Sequence, residues 1–314
     1  MSTTRRTVLG APALVLAAEA AAPFPIIDAH IHLYDPFRPG GSPWPPKDNA
    51  VMYKTTLPPR YRQVVAPLGI VAAIVVEASP LASDSQWVLD VAAKDPIIVG
   101  TVGNLEPADA AFAAEFERLH RNPMFRGIRY GNLWNRDLGT SLGNPRFVEG
   151  LKLVAKAGLA MDSANPTPEL LQAIIRTTDK VPDLRVIIDH LPRLEPPADA
   201  AARRAMEADL REIGKRPQIF VKISGILRTV AGRVPLDLAF YKPRIDQIYE
   251  TFGPDRVIYA SDWPNADQWG AYDRGFRIMR EYFAAKGEAI ARKYFARNSV
   301  AAYRWKPREA KQAV

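Results

Sequence analysis

Eight short apolar runs, separated by stretches with helical periodicity, constrain the fold of this sequence most strongly. The runs are rich in Val and Ile, and they are Pro25–His30, Val71–Glu77, Ile97–Val102, Gly127–Tyr130, Leu159–Asp162, Val186–His190, Ile219–Ile223 and Val257–Ala260. Apolar strands that alternate with helices are typical of a parallel sheet. Eight such units predict a closed (β/α)8 TIM barrel, and 314 residues suit one such domain. A doubly wound open sheet is the alternative, but no Gly-rich phosphate loop follows the first run.

Six of the intervening segments carry apolar residues at helical spacing. They are Ser85–Lys94, Ala108–Arg121, Pro145–Ala157, Pro168–Lys180, Asp199–Lys215 and Lys242–Phe252. Pro145, Pro168 and Pro243 lie near predicted helix starts, where a missing N–H costs little. By contrast, Pro36–Pro59 shows little periodicity. We expect it to form a long loop after the first strand that covers the catalytic face as a lid.

The first 22 residues have the features of an export signal. Arg5 and Arg6 form a twin-arginine pattern, and an apolar run from Val8 to Ala18 follows. This run is too short for a bilayer span, which needs about 20 residues. We therefore expect the twin-arginine machinery to export the folded domain, residues 23–314, to the periplasm. A cytoplasmic protein with an Ala-rich N-terminus is the alternative.

Composition narrows the chemistry that such a barrel can perform. The chain has 42 Lys and Arg against 34 Asp and Glu, a net charge of +8, but no basic stretch with a nucleic-acid-binding signature. The absence of cysteine excludes disulfides, thiol nucleophiles and thiolate metal sites. Metal ligands must therefore come from His, Asp, Glu or a modified Lys. Of the four His, His120 lies in a helical segment and is interpreted as a surface residue.

The first predicted strand ends in two histidines. Side chains alternate along a strand, so His30 and His32 point the same way, into the mouth of the barrel. Two imidazoles in that position can bind one divalent ion. Asp28 is predicted to share this face at a deeper level and to anchor the barrel floor.

Two further residues with reactive side chains end later strands. His190 ends the sixth predicted strand, and Asp262 follows the eighth. The carboxyl ends of barrel strands meet at one mouth, so both should join the His30 and His32 pair. Such a set can activate water or polarise a carbonyl. By strand alternation, Asp189 should point away from His190.

The ordered set of strand-end motifs resembles the amidohydrolase superfamily, and more narrowly its amidohydrolase-related branch with sugar lactonases and 2-pyrone-4,6-dicarboxylate lactonase. The motifs are His30-x-His32, Gly127-Ile128-Arg129-Tyr130, Ile188-Asp189-His190, Val221-Lys222-Ile223-Ser224-Gly225, Ala260-Ser261-Asp262-Trp263-Pro264 and the closing Phe295–Tyr303. The resemblance covers roughly residues 25 to 305. It implies a (β/α)8 barrel that hydrolyses a cyclic carboxylic ester or a related bond.

The resemblance also implies roles for the site residues. Asp262 takes the place of the base that activates water, and His30, His32 and His190 surround the reacting carbonyl or its metal. His190 would stabilise the developing oxyanion.

Three further residues are predicted to bind substrate. Arg129 suits a substrate carboxylate, because a guanidinium holds one with two hydrogen bonds. Tyr130 and Lys222 are candidates for further polar contacts. Together with the resemblance, these residues predict an anionic lactone or a sugar lactone as substrate.

Two departures from the family pattern bear on the metal. The fifth predicted strand ends in Met161-Asp162-Ser163 without a His, and the fourth offers Arg129 where dinuclear members carry a carboxylated Lys. We therefore expect one divalent ion, with zinc favoured, or none. Besides His30 and His32, the candidate ligands are Asp262, Glu77 and His190.

Three functions remain open from the sequence. The leading hypothesis is a lactonase. A decarboxylase of the same superfamily with one metal ion would use the same His and Asp positions. A non-catalytic periplasmic binding protein on a barrel fold is the third.

Overall fold

Residues 24–314, the part of the chain that this computed structural model describes, form an eight-stranded parallel barrel. The strands are β1 (Ile26–Ile31), β2 (Ile70–Val76), β3 (Ile98–Gly103), β4 (Phe125–Arg129), β5 (Ala160–Ser163), β6 (Arg185–Ile188), β7 (Ile219–Ile223) and β8 (Val257–Tyr259). Each strand pairs in parallel with the next in sequence. The predicted barrel is confirmed. The predicted signal, residues 1–22, lies outside the described residues.

The first and last strands meet just beyond β8 and close the ring. His32 N donates to Trp263 O at 2.8 Å, and Asp262 N donates to His30 O at 3.0 Å. These bonds join the two segments that carry the predicted ligands. Closure of the barrel and assembly of the site therefore depend on the same backbone contacts.

Helices connect the strands and cover the outside of the barrel. They are α1 (Pro58–Val65), α2 (Ser83–Ala93), α3 (Phe112–His120), α4 (Leu138–Ser141), α5 (Pro145–Lys156), α6 (Pro168–Lys180), α7 (Ala200–Gly214), α8 (Leu238–Phe252), α9 (Tyr272–Ala284), α10 (Glu288–Arg292) and α11 (Asn298–Tyr303). Within residues 24–314, none of these helices combines the length and apolar character that a membrane crossing requires.

The start of two helices follows directly from local sequence. Pro145 and Pro168 occupy the first helical turn of α5 and α6, as predicted. The Asn144 side chain accepts a hydrogen bond from Arg146 N, and the Thr167 side chain caps α6 in the same way. These caps satisfy amide groups that have no partner inside the helix.

Helix α8 begins earlier than predicted. It starts at Leu238, so Pro243 lies inside the helix rather than at its start. The buried face of α8, which includes Ile245, Ile248 and Phe252, continues along one side of the helix. Burial of this face outweighs the poor helix propensity of an internal proline.

The loop between β1 and α1 lies over the carboxyl ends of the strands. Tyr34 and Thr56 pair through two backbone hydrogen bonds of 3.0 and 2.9 Å at the base of this loop. The Trp44 ring, further along the loop, lies 5.5 Å from the His32 ring. The predicted position of the loop over the catalytic face is therefore confirmed.

Candidate active site

His30, His32 and Asp262 converge at the mouth of the barrel. The two imidazole Nε2 atoms lie 3.2 Å apart. Asp262 Oδ1 lies 3.4 Å from Nε2 of His32 and 3.8 Å from Nε2 of His30. All three residues are almost completely buried. The predicted pair of histidines and the predicted carboxylate thus face one point.

A bulge in β1 turns the two histidines inward. Asp28 pairs with Ala73 of β2 but Ile31 pairs with Val75, so β1 carries one extra residue between these pairs. The bulge interrupts strict alternation. As a result His30 faces the barrel interior, whereas Asp28 faces the helix layer, where it accepts hydrogen bonds from Tyr272 and Tyr61. The prediction that Asp28 shares the face of His30 is wrong for this reason.

His190 reaches the same point by leaving strand geometry. Strand β6 ends at Ile188, and His190 has a left-handed backbone with φ of 52°. Its Nε2 lies 3.5 Å from Asp262 Oδ1, and its Nδ1 lies 2.8 Å from Ser224 Oγ. Asp189 points into the barrel and lies 3.3 Å from Nδ1 of His30. The predicted divergence of Asp189 and His190 is wrong, because alternation ends with the strand.

The two oxygens of Asp262 have different environments. Oδ2 accepts hydrogen bonds from Arg193 and Asn265, both at 2.8 Å. Oδ1 is buried and has no hydrogen-bond partner among the residues of the described chain. The backbone at Asp262 is left-handed, with φ of 65°. One oxygen is therefore fixed, and the other is presented to the three imidazoles.

Two donors that the sequence did not identify hold Asp262. Arg193 follows His190 by three residues, and Asn265 follows Asp262 by three. The available signal was that each donor is a polar residue shortly after a motif residue, His190 or Asp262. Their function depends on the fold, which places the loops after β6 and β8 side by side.

Lys222 lies beneath His30 rather than in contact with the cavity. Its ammonium lies 2.6 Å from Asp162 Oδ2, 2.9 Å from Asp189 Oδ1 and 3.1 Å from His30 Nδ1. The side chain is fully buried. The structure therefore places Lys222 in a buried charge cluster, with Asp162 as a partner that the sequence did not identify, and not at the predicted substrate contact.

Arg129 lines the cavity but is already paired with carboxylates. Its Nε donates to Asp189 Oδ2 at 2.9 Å, and its Nη1 lies 3.6 Å from Glu77 Oε1. Glu77 also accepts from the Trp134 indole. Tyr130 points away from the cavity, and its hydroxyl bonds Glu106 and Ser141.

A cavity of about 220 Å³ opens in front of these groups. Its polar wall includes His32, His190 and Asp262, and its apolar wall includes Trp44, Leu133 and Trp134. Sites for drug-sized ligands typically measure about 300–1,000 Å³. The cavity therefore suits a small molecule.

Burial and neighbouring charges set the protonation states of the site. Burial lowers the pKa of His190 to about 3 and, together with Lys222, holds that of His30 well below its usual value. Burial alone would raise the pKa of Asp262, but His190 and Arg193 hold it well below the usual carboxyl range. At neutral pH these two imidazoles are neutral and Asp262 is ionised, the states that a metal ligand and a general base require.

Comparison with known proteins places the chain in a family. A sequence model of the family described as Amidohydrolase matches residues 27–305. An L-fucono-1,5-lactonase from Burkholderia ambifaria is 30% identical over 240 residues, which are 76% of this chain and 80% of that protein. The chain belongs to the amidohydrolase family.

Solved structures agree with this amidohydrolase fold. An amidohydrolase from Burkholderia multivorans with bound zinc covers 90% of this chain and all of its own, with a TM-score of 0.77 and 20% identity. The 5-carboxyvanillate decarboxylase from Novosphingobium aromaticivorans, complexed with manganese, covers 90% of this chain and 96% of its own, with a TM-score of 0.64 and 17% identity. At these identities the likeness shows the fold alone.

The site of this amidohydrolase fits a divalent ion. His32 Nδ1 lies 3.0 Å from the Val76 carbonyl, so this nitrogen donates and Nε2 keeps its lone pair. Two ligands of a tetrahedral zinc ion lie roughly 3.3 Å apart, which matches the separation of the two Nε2 atoms. The unbonded Asp262 Oδ1 completes a set of three ligand atoms. Glu77 does not belong to this group.

A second group of candidate ligands in the amidohydrolase is already occupied by a cation of the protein. His30, Asp189 and His190 also lie close together. The Lys222 ammonium, however, is 2.9 Å from Asp189 Oδ1 and 3.1 Å from His30 Nδ1. Its charge opposes a metal ion there. Lys222 therefore disfavours a metal ion in this second group.

Proposed function

We propose that this amidohydrolase is a lactonase that hydrolyses the ring ester of a small, uncharged sugar lactone. The convergence of an unbonded Asp262 oxygen with His30, His32 and His190 at one cavity carries the proposal. This arrangement provides a base and polar groups around a reacting carbonyl. The similarity to an L-fucono-1,5-lactonase supports a lactone as the substrate.

The charges of the cavity favour an uncharged substrate over a dicarboxylate. Two cations, Arg129 and Arg193, and two carboxylates, Glu77 and Asp262, line the cavity. Arg129 is paired with Asp189 and Glu77, and Arg193 with Asp262. A substrate carboxylate would therefore meet two arginines whose charges are already balanced and two carboxylates that repel it.

The reaction can be described through the protein's own groups. Asp262 Oδ1 accepts a proton from water as the water oxygen attacks the lactone carbonyl carbon. His190 Nδ1 lies 2.8 Å from Ser224 Oγ. In the tautomer in which Nδ1 accepts from the Ser224 hydroxyl, Nε2 carries a proton that stabilises the oxyanion. The ring C–O bond then breaks, and the proton held by Asp262 passes to the departing ring oxygen. The products are a free hydroxyl and a carboxylic acid, which releases its proton to solvent and becomes a carboxylate.

We propose that His30, His32 and Asp262 hold one zinc ion, which supplies Lewis-acid polarisation when it is bound. Two imidazoles and one carboxylate suit zinc among the common divalent ions. Elemental analysis of the purified protein should give at most one zinc per chain. Two ions per chain would contradict the argument from Lys222.

The function is tested with a panel of aldonolactones and with Asp262→Asn. Asparagine keeps the shape of the side chain but cannot accept the proton, so kcat should fall by about 10² to 10⁴-fold. Asp267→Asn, on the same loop, is the matched control and should stay near the wild-type rate. Circular dichroism checks the fold. A folded Asp262→Asn variant with wild-type kcat would exclude Asp262 as the base.

We also propose that residues 1–22 direct twin-arginine export to the periplasm, as Arg5, Arg6 and the apolar run after them suggest. Replacing both arginines with lysine should leave the precursor in the cytoplasm. Cell fractionation measures this. Unchanged export of the double variant would exclude the twin-arginine route.

A further inference from the structure

A strained turn holds Trp134 at the wall of the cavity. Trp134 and Asn135, in the loop between β4 and α4, are consecutive residues with φ of 58° and 60°. Residues with side chains rarely adopt this left-handed conformation, because Cβ lies too close to the backbone. Asparagine tolerates this conformation, so the strain lies at Trp134, where it persists only when surrounding contacts fix the backbone.

The contact that fixes Trp134 is a buried carboxylate on another strand. The indole Nε1 lies 3.2 and 3.1 Å from the two oxygens of Glu77, at the end of β2. Glu77 is only 5% exposed, and it also accepts from Ser79 N at 3.0 Å. Rotating the indole away would leave a buried carboxylate oxygen without this donor, which is unfavourable.

A hydrogen bond also joins the other side of the turn to a neighbouring loop. Asn165 Nδ2, after β5, donates to Asn132 O at 2.8 Å. Asn165, Leu133 and Trp134 all line the cavity. Hydrogen bonds thus fix the strained turn on both sides. The residues between these bonds line the cavity in which a ligand would bind.

We propose that Trp134, held by Glu77, is a specificity-determining residue that limits the size of the lactone and packs against its ring. The inference rests on the proposed lactonase function. A large, rigid indole suits this role, because its flat apolar surface packs against the C–H groups of a saturated ring. Glu77 then acts as the anchor of this wall and not as a metal ligand.

The test compares Trp134→Ala, Trp134→Phe and Glu77→Gln on lactones that the wild type opens. For Trp134→Ala we expect KM to rise about 10-fold with kcat within about threefold, because the lost contact binds the ring and does not touch the reacting bond. Lactones with a bulkier ring substituent should gain in relative kcat/KM. Trp134→Phe should lie between this variant and the wild type.

Two controls separate the role in specificity from a structural role. Trp87→Phe, on α2 and outside this cavity, should leave KM and substrate preference unchanged. Glu77→Gln should keep its zinc content, because the proposed ion lies at other residues. Thermal unfolding verifies that each variant folds. If Trp134→Ala does not fold, Trp134→Phe tests the same role.

Each outcome has a distinct meaning. An unchanged KM and an unchanged substrate preference in folded Trp134 variants would overturn the inference while leaving the lactonase function intact. Loss of zinc from Glu77→Gln would overturn the role of Glu77 as an anchor. A wild-type protein that opens no lactone of the panel would overturn the proposed function itself, and this inference with it.

Discussion

At the scale of single residues, the site rests on a buried cluster of charges. The Lys222 ammonium lies between Asp162 and Asp189, and Asp189 also accepts from Arg129. Burial raises the pKa of Asp162 to about 6 despite the lysine, whereas Lys222, His30 and Arg129 overcome the effect of burial at Asp189 and hold its pKa well below the usual range. Asp189 is therefore the permanent anion next to His30.

Removing the lysine should destabilise the fold. Lys222→Met leaves two buried carboxylates without their shared partner, and breaking such a pair costs about 3–5 kcal/mol. The double variant Lys222→Met with Asp162→Asn removes one of the two unpaired carboxylates and should recover part of the lost stability. Urea unfolding measures both. Equal stability of Lys222→Met and the wild type would show that the cluster does not support the fold.

At the scale of secondary structure, the bulge in β1 decides which side chains enter the site. Asp28, on the outer side, accepts from Ser261 N at 2.8 Å, Ser261 Oγ at 2.5 Å and Tyr272 OH at 2.7 Å. Ser261 directly precedes Asp262. The buried Asp28 carboxylate therefore joins β1 to the segment after β8 from behind the site.

Asp28→Ala should lower the free energy of unfolding by more than about 3 kcal/mol. The change leaves several buried donors without an acceptor, and each such donor costs about 1–3 kcal/mol. Asp28→Asn keeps one acceptor oxygen and should be less destabilising. Chemical denaturation gives both values. Tyr130→Phe, which alters a hydroxyl on the outer side of β4, is a suitable comparison. An Asp28→Ala variant as stable as Tyr130→Phe would refute this role.

At the scale of the whole molecule, the C-terminal segment packs against the amino end of the barrel. The Arg308 guanidinium donates to the carbonyls of Ala92, Asp95 and Ile98 at 2.6–2.9 Å. Gln312 is fully buried, and its Nε2 donates to Pro96 O at 2.8 Å. The segment thus binds the start of β3 at the end of the barrel opposite the cavity.

Deleting residues 308–314 should lower the melting temperature without a comparable loss of kcat. The deletion removes the buried Gln312 side chain and the hydrogen bonds that Arg308 and Gln312 donate, each worth about 0.5–1.5 kcal/mol. Arg308→Lys, which keeps the charge but not the forked geometry, should fall between the deletion and the wild type. Calorimetry and the lactone assay measure the two properties. Loss of kcat without loss of stability would mean that the segment acts on the site.

Local sequence predicted the elements and the residues that carry the chemistry. Val- and Ile-rich runs specify β1 to β8, because side chains buried on both faces must be apolar. The starts of α5 and α6 follow from a capping residue directly before a proline, Asn144 before Pro145 and Thr167 before Pro168. The prediction that His30 and His32 share a face also survives, because alternation is regular from His30 to His32.

The tertiary structure alone decided where the other polar residues act. Periodicity holds only inside a regular strand, so it misplaced Asp28 at a bulge and Asp189 beside the left-handed His190. It also could not show that Lys222 meets Asp162, 60 residues away, or that Arg193 holds Asp262. Such pairs form when the ring of strands closes, because closure brings distant strand ends together. The sequence therefore determines the barrel and its reactive residues, while closure determines which of them touch.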